Sequence, residues 1–145
     1  MAIDDRDRPR RPLELDTRPD WNRAMRYESS RHARYGRPAS VLLIELDGGP
    51  DATSVEHDAR GLADLIRAEV RETDRAVRTG PASFRMLLTE TSARAARHVA
   101  GRLDRAFHDE CARTPAQPSL RIEIAAPTRG ESLEDAVLAA ERRLD

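Results

Sequence analysis

Apolar and polar positions alternate along the chain in blocks of distinct period. Ser40 to Leu46 reads Ser-Val-Leu-Leu-Ile-Glu-Leu, a short and nearly continuous run of apolar, branched residues. That is the pattern of a strand buried on both faces, and it predicts a central strand. Asp47-Gly48-Gly49-Pro50-Asp51 breaks the run, after which Val55, Ala59, Leu62, Ile66 and Val70 recur at helical spacing. Arg75 to Thr79 and Ser83 to Thr89 flank Gly80-Pro81-Ala82, and in the second run Phe84, Met86 and Leu88 alternate with Arg85 and Leu87. Two extended runs about a Gly-Pro turn predict a hairpin. Ala96, Val99, Leu103 and Phe107 mark another helix, Leu120, Ile122 and Ile124 alternate with Arg121 and Glu123 as a strand, and Leu133, Val137 and Leu144 mark a last helix. Ahead of the central strand, Trp21 to Tyr35 suits a helix with Trp21, Met25 and His32 toward one side, ending at Gly36 before Pro38.

The order helix, strand, helix, hairpin, helix, strand, helix places the chain in the α+β class, with a mixed sheet packed by helices. No internal repeat interrupts it. Residues 1–20 mix Asp and Arg with Pro9, Pro12 and Pro19 and, beyond the first three residues, offer only Leu13 and Leu15 for burial, so a flexible lead-in is expected there. The folded domain is expected to span 21–145, since 145 residues fit one domain and are too few for two.

Composition narrows the partners. Charged residues make up 35% of the chain and aromatics 3%, and every basic side chain is Arg. Because 25 basic residues nearly cancel 26 acids, the net charge of -1 supplies no bulk field toward nucleic acid or an anionic membrane. The one cysteine, Cys111, cannot close an internal disulfide, and Asp4, Asp5 and Arg6 stand where a secretory signal would carry apolar residues. With no apolar run of spanning length, the expected location is the cytoplasm and no membrane insertion is expected.

Four local sequences carry a resemblance. They are Arg34-Tyr35-Gly36-Arg37-Pro38, Leu42-Leu43-Ile44-Glu45-Leu46-Asp47, Leu87-Leu88-Thr89-Glu90-Thr91 and Ser132-Leu133-Glu134-Asp135-Ala136. Each is ordinary alone, but in this order and spacing they resemble the GGDEF (diguanylate cyclase) domain from about Trp21 to Asp145. The resemblance implies a largely antiparallel central sheet of the nucleotide-cyclase type flanked by helices. It places the family's signature turn on Gly80-Pro81-Ala82-Ser83-Phe84, which in active relatives works with an acid on the first strand to hold magnesium ions and GTP phosphates.

Measured against that pattern, the turn has lost its chemistry. Hard divalent ions need several oxygen ligands, with carboxylates supplying charge. Glu45 stands at the family's strand acid, but Ser83 replaces the turn carboxylate and Ala82 the acid beside it. Pro81 stands where the family has its second glycine; its ring fills space that nucleotide needs, and it has no N–H to donate. A gap-free count from Asp47 puts Thr53 and Leu62 at the guanine-selecting positions, and Leu62 cannot accept a hydrogen bond. The last helix reaches Asp145 without the Lys that follows it in relatives. The resemblance therefore implies a degenerate domain that is not an enzyme, holds no metal and needs no cofactor.

The family's product-binding site is an Arg-x-x-Asp shortly before the signature turn, and Arg71-Glu72-Thr73-Asp74 stands at that spacing. An Arg fork reads guanine O6 and N7 while a carboxylate accepts from N1 and N2, so the resemblance points to cyclic di-GMP. Relatives often add an Arg from the third helix, for which Arg102 or Arg105 is the candidate. Plainer readings stand beside this. Arg71 and Asp74 also suit a solvated pair at a helix end, and Glu45 and Asp47 suit relics or turn-forming acids. His32, His57, His98 and His108 show no metal spacing and suit the surface, and Cys111 suits a small buried hydrophobe. Three functions follow in order: an inactive signalling module sensing cyclic di-GMP, a structural domain that binds a partner protein or its own copy without nucleotide, and a residual metal-dependent enzyme using Glu45 and Asp47.

Overall fold

The computed structural model describes residues 14–145; residues 1–13, the larger part of the expected lead-in, lie outside it. The first helix, α1 (Arg18–Tyr35), starts three residues before Trp21 because Thr17 caps it, its side chain accepting from the Asp20 N–H at 3.3 Å, with a proline in the first turn. Gly36 ends it in the left-handed conformation at φ 65°, its N–H donating to the His32 carbonyl. There follow β1 (Ala39–Asp47), α2 (Ala52–Glu69), β2 (Arg75–Gly80), β3 (Ser83–Thr89), α3 (Ala93–Glu110), β4 (Ser119–Ala125) and α4 (Leu133–Leu144). Asp51, Ser92 and Ser132 cap α2, α3 and α4 through their side chains.

The four strands lie in the order β2-β3-β1-β4, and every pairing among them is antiparallel. Although β1 and β2 run the same way, β3 lies between them, so the parallel component expected of a mixed sheet is confined to an isolated bridge of Asp16 with Val77. As its apolar run predicts, β1 is central, and its alternate residues feed two cores. Leu42, Ile44 and Leu46 join α2 and α3 residues, among them Leu62, Ile66, Leu103 and Phe107. Val41 and Leu43 face the other way, to Trp21 of α1 and Leu133, Val137 and Ala140 of α4.

The β2–β3 turn shows how Pro81 acts. Two-residue hairpin turns that match strand twist need positive φ, which proline cannot adopt, and neither Pro81 nor Ala82 has it. Gly80 pairs with Ser83 across this turn, and the register shifts between Arg78 and Gly80 to absorb the mismatch.

Candidate functional site

At the turn, Glu45 and Ser83 are cross-strand neighbours of β1 and β3. The Ser83 hydroxyl lies 2.9 and 2.8 Å from the two Glu45 carboxylate oxygens and donates to that carboxylate. Arg78 of β2 closes the other side. Its Nε donates to the Gly80 carbonyl at 3.2 Å, and one amino group reaches the Pro81 carbonyl at 2.6 Å and Glu56 of α2 at 2.7 Å. Its guanidinium lies 5.5 Å from the Phe84 ring centroid, and Phe84 itself is core at 1% exposure. The Ala82 carbonyl accepts from the Leu46 N–H at 2.8 Å. The turn's main-chain carbonyls are thus taken up internally, and one carboxylate, already bonded to a hydroxyl, faces it. No group of three or more His, Cys, Asp or Glu that could hold a metal occurs among the described residues. These side chains do not match the several anionic oxygens that a magnesium pair requires. Asp47 is exposed at the end of β1, Thr53 is exposed in the first turn of α2, and Leu62 is fully buried in the core.

Sequence reading missed Arg78 and Glu56, whose cooperation needs the β2–α2 approach. Their contact has a pH signature. The bond from Arg78, with a second from Arg60, holds the Glu56 carboxyl below the usual glutamate range. A carboxylate depressed on folding contributes stability that is present above its unfolded-state value and lost as pH falls through the folded one. Arg78→Ala is therefore expected to be less stable than wild type near neutrality. The difference should narrow on acidification to the share due to the Gly80 and Pro81 carbonyls. Urea midpoints measured against pH check this, and a pH-independent difference would exclude the ion pair as its source.

The second region lies at the α2–β2 corner. Asp74, whose side chain is 2% exposed, accepts from the main-chain N–H groups of Arg71 at 2.9 Å and Thr89 at 3.2 Å. It also accepts from Arg71 Nε at 3.0 Å and Nη2 at 3.1 Å. Arg71 Nη2 continues to the Thr89 carbonyl at 2.7 Å and Thr91 Oγ1 at 3.1 Å. The bond to Asp74 is the main cause that raises the Arg71 pKa above its ordinary value. The Arg-x-x-Asp is thus brought together as a clamp that ties the corner to the end of β3. Arg71 Nη1 has no partner among the described residues, and the Arg71 side chain is 57% exposed.

Arg71 lines a cavity of about 750 Å³ between α1, the α2–β2 corner and β3. From α1 come Arg23, Tyr27, Glu28 and Arg31, with Leu87 and Thr89 contributed by β3. Tyr27 is 65% exposed, with the Arg31 guanidinium 5.9 Å from its ring centroid. Arg31 in turn bonds Glu28 at 3.1 Å and Glu90 at 3.0 Å. This α1 wall was not visible in the sequence, because a helix with three buried residues carries a weak apolar stripe. Arg102 is not part of the cavity lining; it bonds Glu69 at 2.7 Å on the α2–α3 side, and Arg105 is exposed on α3. His57, His98 and His108 are exposed, whereas His32 is half-buried with its ring nitrogens 3.0 Å from the Arg37 carbonyl and 3.2 Å from that of Glu131. Cys111 is buried, and burial, with Asp58 and Glu110 nearby, pushes its thiol pKa up.

A four-stranded antiparallel sheet with a helix–strand–helix–hairpin–helix–strand–helix order is the α+β architecture of nucleotide cyclase domains. Its solved counterparts are GGDEF diguanylate cyclase domains. The chain is similar to the active GGEEF domain of a diguanylate cyclase from Vibrio cholerae, with a TM-score of 0.74 and 19% identity over 89% of this chain and 88% of that one. It is similar to the GGDEF domain of DgcB from Caulobacter crescentus, solved in complex with c-di-GMP, with a TM-score of 0.73 and 13% identity over 93% of this chain and 90% of that one. The diguanylate cyclase SiaD of Pseudomonas aeruginosa, solved in complex with its activator SiaC, matches with a TM-score of 0.72 and 20% identity over 88% of this chain. The chain spans about half of SiaD, 53% of its length. No family model matches the sequence, and no curated protein does. Among the described residues, no helix is long and apolar enough to cross a membrane.

Proposed function

We propose that this chain is a signalling module of GGDEF fold that lacks cyclase chemistry and takes cyclic di-GMP at the cavity beside Arg71. The observation that carries the reading is the cavity itself. Its roughly 750 Å³ falls within the span of small-molecule sites, and a half-exposed guanidinium, oriented by a buried carboxylate, stands at its wall. Because Asp74 is committed to four internal N–H contacts, it acts as a positioning residue, and Arg71 presents its free amino group to the base. The DgcB complex with c-di-GMP supports the choice of ligand. The absence of cyclase activity is inferred from the turn: Pro81, Ala82 and Ser83 offer neither a second carboxylate nor open main chain.

Isothermal titration of cyclic di-GMP into the wild-type chain is expected to give saturable heat. Arg71→Ala is expected to weaken it roughly 10- to 150-fold, the equivalent of about 1.5–3 kcal/mol for a hydrogen bond made by one charged amino group. No heat from the wild type would remove the ligand. Turnover of GTP with Mg²⁺ would remove the claim of inactivity.

A second reading, a partner-binding domain with no nucleotide, draws on the pairing of Arg31 with Glu28 and Glu90 and of Arg75 with Asp16. Such pairing leaves these cations with less charge for phosphates. Partner capture unaffected by cyclic di-GMP, together with a silent titration, would favour it.

A further inference from the structure

β4 forms one edge of the sheet. Its residues Leu120, Ile122 and Ile124 pack against the α2–α3 core but stay partly exposed. Their β1 partners Leu46, Ile44 and Leu42 are 6%, 1% and 0% exposed. The apolar face therefore continues to the edge, where no other described residue covers it. An edge strand also presents main-chain N–H and C=O groups to whatever lies alongside. Among the described residues, one side chain engages the β4 main chain: Arg143 of α4 donates to the Ile124 carbonyl at 2.9 Å and pairs with Glu123 at 2.8 Å.

The sequence of this edge is self-complementary. We propose that β4 is a self-association surface, on which the β4 strands of two copies of this chain pair antiparallel about a two-fold axis through Ile122. In that register Ile122 faces its counterpart, Leu120 faces Ile124 of the other copy, and Arg121 faces Glu123 of the other copy on both sides of the axis. Antiparallel neighbours on one face interact directly, favourably for unlike charges and unfavourably for like ones. The charges also select the register. Moving the axis to residue 121 sets Arg121 against Arg121, and moving it to 123 sets Glu123 against Glu123. A shift of the pairing by a single residue would set the apolar row against the charged one. The two sheets would join into one continuous sheet, with the Leu120, Ile122 and Ile124 rows of the two copies covering each other's open flank. The end of α4 competes for this surface within each copy, because Arg143 holds both Glu123 and the Ile124 carbonyl and the Leu144 carbonyl accepts from Arg121 at 2.8 Å. The association is therefore weak and concentration-dependent.

Sedimentation equilibrium of the full chain, with and without cyclic di-GMP, is the test. The wild type is expected to pass from monomer to dimer as concentration rises, whether or not the dinucleotide is present. Glu123→Arg, which sets Arg against Arg twice, is expected to remain monomeric where the wild type is dimeric. The exchanged pair Arg121→Glu with Glu123→Arg is expected to restore the dimer. Arg143→Ala is expected to strengthen it by freeing Glu123 and the Ile124 carbonyl. Circular dichroism checks that each variant folds, and hydrogen exchange on the wild type needs no variant: β4 amide protection should rise with protein concentration. A wild type that stays monomeric to its solubility limit overturns the proposal, as does a dimer that Glu123→Arg leaves intact. Concentration-independent protection of β4 in a monomer overturns it too, and would show the edge covered by another segment of the same chain.

Discussion

Asp74→Ala is expected to destabilise the chain by about 3 kcal/mol, a larger loss than its partner Arg71 should show. Asp74 is buried and is the acceptor for the Arg71 and Thr89 main-chain N–H groups. Alanine leaves both donors without that acceptor in a place with little water to replace it, and each unsatisfied buried group costs roughly 1–3 kcal/mol. Arg71→Ala removes a half-exposed guanidinium but leaves Asp74 its two main-chain donors. Its expected cost is about 1 kcal/mol, in the range of partly exposed ion pairs. Urea unfolding of both variants gives the comparison. If Asp74→Ala unfolds within about 0.5 kcal/mol of wild type, as an ordinary surface change would, the corner is not held by this clamp. The inequality also decides how ligand binding is tested: Arg71→Ala probes recognition on an intact fold, while Asp74→Ala mixes recognition with unfolding.

Trp21→Ala is expected to cost about 3–5 kcal/mol, the range for deleting a large buried aromatic side chain. Trp21 is 4% exposed and belongs to the core between α1, the sheet and α4, with Leu43, Leu133 and Val137. Its removal leaves a cavity against a β1 that is already buried on both faces. The consequence extends to function, because α1 supplies Arg23, Tyr27 and Arg31 to the cavity wall. Loss of Trp21 is expected to loosen that wall and weaken dinucleotide binding, though Trp21 itself is absent from the cavity lining. Thermal unfolding followed by circular dichroism measures the stability. A change below about 1 kcal/mol would mean that α1 is held mainly by its cap and polar contacts.

Much of the fold was legible because period and burial agree. β1 is read from a run that must be covered on both faces, α2 and α3 from residues spaced every three or four positions, and the hairpin from two extended runs about Gly80-Pro81-Ala82. The start of α1 was placed too late because its signal is polar: Thr17 capping Asp20, followed by a proline, leaves no apolar trace. The Arg71–Asp74 pair was legible as a motif. Its state as a closed clamp was not, since two of its partners, Thr89 and Thr91, lie on the far side of the hairpin. The likeness to GGDEF domains rested on short strings that no family model matches, and it became visible over 89% of the chain only in the arrangement of the elements.

By itself the sequence determined which segments are helix and strand, that β1 lies at the centre, and that the turn at Pro81 carries no carboxylate, because each depends on residue type and local spacing. Tertiary structure alone decided that β3 separates β1 from β2, that Arg78 reaches Glu56 and the turn carbonyls, that α1 closes one side of a cavity at Arg71, and that β4 lies at an edge. These are contacts between residues far apart in the chain. Their distances follow from how the two cores pack on either side of one sheet, and no local pattern contains that information.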